Sequence, residues 1–173
     1  FELCREEKAI EREKINISIG IYVGKNPFYL YETREIVNPV LTAASVKDVD
    51  ADFVADPFMV FENEIWYMFF EVMNKKTAHG DIGLATSVDG IKWEYQKIIL
   101  DEPFHLSYPH VFLAENGYYM IPECNEKKTI RLYKATNFPF EWEFESTLLD
   151  GLNFTDSTIF TYGTKWWLFT ETD

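Results

Sequence analysis

Acidic side chains recur along this chain at repeating spacings. Asp56 and Asp156 each open a sixteen-residue stretch, and Glu71, Glu123 and Glu171 each close one. The stretches Asp56–Glu71, Tyr108–Glu123 and Asp156–Glu171 align without a gap, their starts 52 and 48 residues apart. Converging carboxylates suit acid–base cleavage of an acetal. One must be ionised, as base or nucleophile, while another keeps a proton for the leaving oxygen. Like-charge proximity separates their pKa values, so neighbouring acids can take opposite roles at one pH. The same groups can also bind sugar hydroxyls without cleaving anything. The plainer alternative is a turn-forming, solvated aspartate and a glutamate that merely caps its strand.

Where the middle stretch would carry an aspartate it carries Tyr108, inside Phe104-His105-Leu106-Ser107-Tyr108-Pro109-His110. His105, Ser107, Tyr108 and His110, with Glu71 and Glu171, form the candidate substrate-binding set. Such groups bind hydroxyls, orient a carboxylate or ligate a cation, and equally serve as buried, hydrogen-bonded structural residues. His105 and His110 are five apart with no third ligand identifiable from spacing, so no metal site is assigned. No cofactor is expected, beyond a structural cation that a central channel could hold. Glu123 is the favoured functional glutamate, because Pro122 breaks its strand and Cys124 follows it.

A period near 50 residues is that of four-stranded propeller blades, which gather the same strand of every blade around one channel. The elements fit. Phe58–Phe61 reads as an inner strand opened by Asp56, then come Trp66–Val72, Ile82–Ser87 and an outer Trp93–Leu100, with Asp89-Gly90 as a two-residue hairpin. The second unit repeats this through Val111–Phe112, Tyr118–Ile121, Ile130–Ala135 and Trp142–Leu149. Strands one and two run antiparallel, so each closing glutamate returns beside the residue that opened its unit. One rim is then expected to carry Asp56, Tyr108, Glu123 and Asp156, with Trp66 and Tyr119 near it for stacking. The fold class is all-β, a partial propeller. A lead-in over 1–16 precedes an outer half-blade at 17–41, full blades at 56–100 and 108–151, and an inner half-blade at 156–173. These units are too few to close a ring. A longer propeller is expected, of which this chain is a part, or else closure by another copy or an open arc.

Composition narrows the partners. Aromatics make up 17% of the chain, which favours a pleated, half-buried surface. A net charge of -13 with no basic stripe argues against nucleic acid and anionic membranes. No apolar run is long enough to span a bilayer. The two cysteines, Cys4 and Cys124, form no disulfide framework and lean toward a reducing, cytoplasmic compartment. The sequons at Asn16 and Asn153 decide nothing. No phosphate loop, nucleophile elbow or paired-cysteine zinc site is present.

Asp56-Pro57, the strand Trp66-Tyr-Met-Phe-Phe-Glu71 and Ala85-Thr-Ser-Val-Asp-Gly-Ile-Lys-Trp93 resemble the five-bladed propellers of glycoside hydrolase families 43 and 32. That resemblance implies Asp56 as general base, Asp156 as the aspartate tuning the acid, and an acid glutamate beyond Asp173. Glu123-Cys124 is similar to the acid motif of family 32. Phe53–Phe58, Phe104–Pro109, Tyr119–Glu123 and Asn38–Leu41 more closely resemble the N-terminal domain of glucosamine inositolphosphorylceramide transferases and its bacterial counterparts, over roughly residues 17–173. This implies a partner that is a glycan or glycoconjugate, with the rest of the propeller or a second domain beside it. Three functions follow as expectations: a glycosidase with Asp56 as base assisted by Asp156 or Glu123, a non-cleaving glycan-recognition module, or a protein-interaction scaffold.

Overall fold

Along Ile65–Asn74 apolar side chains point alternately into two cores, which is why this run is apolar at nearly every position. Met68, Phe70 and Val72 face one cluster with Ile19, Leu41 and Val54. Phe69 faces another with Leu106, Met120 and Trp142. A strand buried on both faces lies inside a stack of sheets.

A computed structural model describes residues 17–173, so the expected lead-in over 1–16 lies outside the described residues. Short strands β1 (Val23–Gly24) and β2 (Leu30–Tyr31) pair with each other, and Ile19 bridges Leu41. The first four-stranded sheet is β3 (Ala51–Glu62), β4 (Ile65–Asn74), β5 (His79–Ser87) and β6 (Glu94–Leu100). The second is β7 (Ser107–Ala114), β8 (Gly117–Glu123), β9 (Thr129–Asn137) and β10 (Glu141–Asp150), and β11 (Phe154–Tyr162) pairs with β12 (Lys165–Thr172). Both four-stranded sheets are antiparallel meanders in chain order. Inner strand β7 packs between β3 and β11. The architecture is a partial β-propeller.

Cores fill the gaps between blades. Ile82, Leu84 and Leu100 of the first blade meet Val111, Met120 and Tyr133 of the second, and the connecting segment adds Phe104 and Leu106. Ile121 and Ile130 meet Phe154 across the next gap. The repeat extends to single side chains. Trp93 donates its indole N–H to Gly90 O at 3.2 Å, and Trp142 donates to Pro139 O at 2.8 Å, each three residues back. Among the described residues no helix is long and apolar enough to cross a membrane.

Two local expectations need correction. The inner strand does not begin at Asp56: it starts at Ala51, because Ala51, Val54 and Ala55 already pair with β4. Nor is Asp89-Gly90 a two-residue hairpin. Residues 88–93 form a longer loop in which Asp89 Oδ1 accepts the Ile91 and Lys92 amides, each at 2.8 Å. An aspartate that satisfies two amides stabilises the wider turn, while Gly90 supplies φ +72°.

Candidate functional site

The three aligned units share one backbone irregularity. Ala55 pairs with Glu71, Ser107 with Glu123 and Thr155 with Glu171, and in each unit the inner strand then carries one extra residue before pairing resumes. That is a β-bulge at the same place three times. Its first residue is left-handed each time: Asp56 at φ 51°, Tyr108 at 45° and Asp156 at 50°. Aspartate tolerates this region, whereas a tyrosine there is an outlier. Bulges re-aim side chains and gather near functional sites. Here they turn Asp56, Tyr108 and Asp156 out of the strand alternation at one rim, each beside its blade's glutamate.

Hydrogen bonds then join the blades at this rim. Asp56 Oδ2 accepts the Tyr108 amide at 3.3 Å, and Glu123 Oε2 accepts the Asp156 amide at 3.0 Å. The Tyr108 hydroxyl lies 3.3 Å from Thr158 Oγ1. Thus Asp56, Tyr108, Glu123 and Asp156 come together, as their spacing implied.

Charge accumulates with them. Burial, then the nearby charges of Asp56 and Glu123, push the Glu71 carboxyl up to about 7. Burial also raises Glu123; the Asp156 amide opposes the rise, and the charges of Asp156 and Asp56 add to it. Glu71 is only 5% exposed, and its Oε1 stands 3.5 Å from His105 Nε2. His105 accepts the Gly80 amide at Nδ1, 2.9 Å away, so its proton sits on Nε2, facing Glu71. Burial holds His105 below the usual imidazole range. The pair is therefore an uncharged imidazole beside a carboxyl near half-protonation at neutral pH, and not a fixed ion pair.

Glu171 takes a different place. With Glu123, Glu126, Asp156 and Asp173 it lines an open cleft of about 610 Å³, which no lysine, arginine or histidine among the described residues lines. Ser107 is buried. His110 donates from Nε2 to Ile159 O at 2.9 Å, with Phe58 edge-on against its ring. It holds β7 to β11 and does not line the cleft. The aromatics expected at the rim also lie elsewhere. Trp66 pairs with Phe61 at the far hairpin, and Tyr119 stacks on Phe112. Four or five residues of strand carry each about 13–17 Å from its glutamate.

Sequence reasoning overlooked Gly80. A Cβ there would stand 2.3 Å from Leu106 O and 3.0 Å from Glu71 Oε1. Leu106 donates its amide to Gly80 O at 2.9 Å, so the segment between blades docks flat on this glycine and thereby delivers His105 to Glu71. The available signal was a glycine within a strand pattern, which marks close backbone approach.

Comparison with known proteins agrees with this architecture. The chain resembles a family 32 beta-fructofuranosidase of Bombyx mori with a TM-score of 0.57 and 19% identity, covering 82% of this chain and 33% of the other. A family 117 glycoside hydrolase of Zobellia galactanivorans gives 0.55 and 13%, covering 88% and 53%. At such identity these likenesses speak for the fold alone. Sequence relatives are nearer. Glucosamine inositolphosphorylceramide transferase 1 of Oryza sativa subsp. japonica is 44% identical over 167 residues, covering 88% of this chain and 22% of that protein. The Arabidopsis thaliana protein of the same name is 40% identical over 180 residues, covering 95% and 23%. The chain spans less than a quarter of either relative. Residues 10–173 match the family described as glucosamine inositolphosphorylceramide transferase 1, N-terminal, and the chain belongs to that family.

Proposed function

We propose that this chain recognises a glycan or glycoconjugate at its acidic rim, without cleaving it, as part of a glycosyl-transfer protein. The observation that carries this reading is the engagement of the rim carboxylates with the next blade's amides, Asp56 with Tyr108 and Glu123 with Asp156. A carboxylate held by a backbone amide is well placed to accept hydroxyls with its free lone pairs, and poorly placed to swing between acid and base roles. The name of the sequence relatives supports a sugar-transfer context. The cleft's charge narrows the sugar class. Five carboxylates, with no cation among the described residues of the cleft, favour a sugar bearing an ammonium group, such as a free amino sugar, over one bearing phosphate.

Hydrolysis is the second reading. Glu71, its carboxyl pushed up to about 7 by burial and by the nearby charges of Asp56 and Glu123, has the raised pKa of a glycosidase's general acid. Its burial and its contact with His105 weigh against it, because a general acid must reach the leaving oxygen. The test is calorimetric titration with oligosaccharides ending in glucosamine or in N-acetylglucosamine, for the parent protein and its Glu123→Gln and Asp156→Asn variants. Binding of the free amine that is lost on acetylation and weakened in both variants supports the proposal. Equal binding of both sugars removes the ammonium argument, and no binding of either removes recognition of this class. Turnover of aryl glycosides that disappears in Asp56→Asn would replace recognition by hydrolysis.

A further inference from the structure

A second polar cluster lies on β5 and the residue that follows β6, on the opposite face of the sheet from Glu71, whose partner Ile82 is the next residue after Asp81. His79 and Asp81 are two apart on one strand and so share a face. Asp101 follows Leu100, which pairs with Ile82, so Asp101 stands across from Asp81 on the neighbouring strand. One ligand atom from each of His79, Asp81 and Asp101 lies within 4.8 Å of the others. Like charges opposite each other on adjacent strands are destabilising unless a proton or a cation is shared between them.

The buried atoms make the demand specific. Asp81 is 1% exposed. Its Oδ2 accepts Asn74 Nδ2 at 2.9 Å, while its Oδ1 is buried without a hydrogen-bond partner. His79 Nδ1 is likewise buried and unpartnered, 3.4 Å from that oxygen. Buried polar atoms in native structures nearly always have partners, and exceptions call for an explanation such as an ion. The separation fits one. Two ligands of a tetrahedral ion with bonds of about 2.1 Å stand about 3.4 Å apart.

We propose that His79, Asp81 and Asp101 bind a divalent first-row transition ion of the zinc type, with solvent completing its coordination. An imidazole nitrogen with two carboxylate oxygens suits such an ion better than calcium or magnesium, which take oxygen ligands. The ion clips the start of the interblade segment to β5. That segment carries Leu106, which docks on Gly80, and His105, which meets Glu71. Occupancy therefore braces the seam from the sheet face opposite Glu71, and the proposal does not rest on sugar recognition at the rim.

The experiment is calorimetric titration of chelator-treated protein with zinc chloride, and in parallel with calcium chloride, followed by thermal melting of each form. One zinc per chain is expected, with a raised Tm. Asp101→Asn changes an exposed ligand, so the fold is retained, and it should weaken zinc binding at least tenfold and abolish the Tm rise. His79→Gln should do the same, and cobalt in place of zinc should give the visible bands of a low-coordinate site. Absence of stoichiometric zinc binding overturns the proposal. So does zinc held equally well by Asp101→Asn and His79→Gln, which would place the ion elsewhere on this acidic surface. Calcium binding in preference to zinc, lost in the same variants, overturns the assignment of the ion.

Discussion

The Tyr108 amide donates to Asp56 Oδ2 at 3.3 Å, so the left-handed residue of one blade is held by the left-handed residue of the blade before it. At the next seam Tyr108 offers no carboxylate, and Glu123 accepts the Asp156 amide instead. Each seam thus keeps one carboxylate on one bulge amide, supplied by whichever residue the blade has.

Asp56 therefore has two separable roles, tolerance of φ 51° and acceptance of the seam hydrogen bond. Asp56→Asn keeps both in part and should cost least. Asp56→Gly removes the acceptor but suits the backbone, at about 1 kcal/mol. Asp56→Ala loses the acceptor and strains the backbone, at about 2–3 kcal/mol. Urea unfolding of the three variants ranks them. Equal cost for glycine and alanine would show that backbone strain at the bulge contributes nothing.

Glu71 gives the fold a pH dependence of unusual sign. Its carboxyl is raised to about 7 from an ordinary 4.5, so the folded state holds the proton more tightly than the unfolded one. The stability this contributes is full below about 4.5 and is lost as pH rises through about 7, with an upper bound of about 3 kcal/mol. His105 and His110, both lowered by burial, act in the opposite direction, losing stability as pH falls. Subtracting the curve of Glu71→Gln isolates the carboxyl. The variant should gain on the parent in denaturant midpoint from pH 5 to about 7 and level off above it. A constant difference across that range would contradict a protonated Glu71.

Much of this was legible because the repeat carries its own register. Asp56, Asp156 and the three glutamates recur at fixed offsets, and antiparallel pairing then places them together with no further information. Tyr108 was found as the member that departs from the pattern. What escaped depends on docking between segments. Nothing local tells that Leu106 docks on Gly80, so the meeting of His105 and Glu71 stayed hidden. His110 kept its place in the sequence motif, yet its ring turns to the carbonyl of Ile159, which follows 49 residues later. Trp66 and Tyr119 were misplaced for a simpler reason: side chains on the right strand can still sit several residues from the rim. The missed start of β3 reflects Asp52, a polar residue in an edge strand with one open side.

Cys124 should be inert while the chain is folded. It is 1% exposed, burial pushes its thiol up, and its Sγ donates to Thr129 O at 3.2 Å. A thiol kept protonated and covered reacts slowly, because the thiolate is the nucleophile. In a Cys4→Ser background, alkylation at pH 8 should proceed at the rate of global unfolding and speed up sharply in denaturant. Rapid labelling in native buffer would mean that the gap between blades opens locally.

Gly80 gives the sharpest steric test of the seam. A methyl group there meets the Leu106 carbonyl at 2.3 Å, a backbone atom that no rotamer change can move aside. The segment must lift, which breaks the Leu106-to-Gly80 hydrogen bond and withdraws the acceptor His105 offers the Gly80 amide. Gly80→Ala should cost about 2–4 kcal/mol, in the range of overpacked buried sites. Losing contact with Glu71 and gaining solvent, His105 should also titrate closer to an ordinary imidazole, read from its ring proton shifts. Leu106→Ala, which trims the same segment without touching its backbone bond, should cost similar stability through the core yet leave the His105 titration unmoved. If the two variants shift His105 alike, general loosening and not the flat docking on Gly80 governs the histidine.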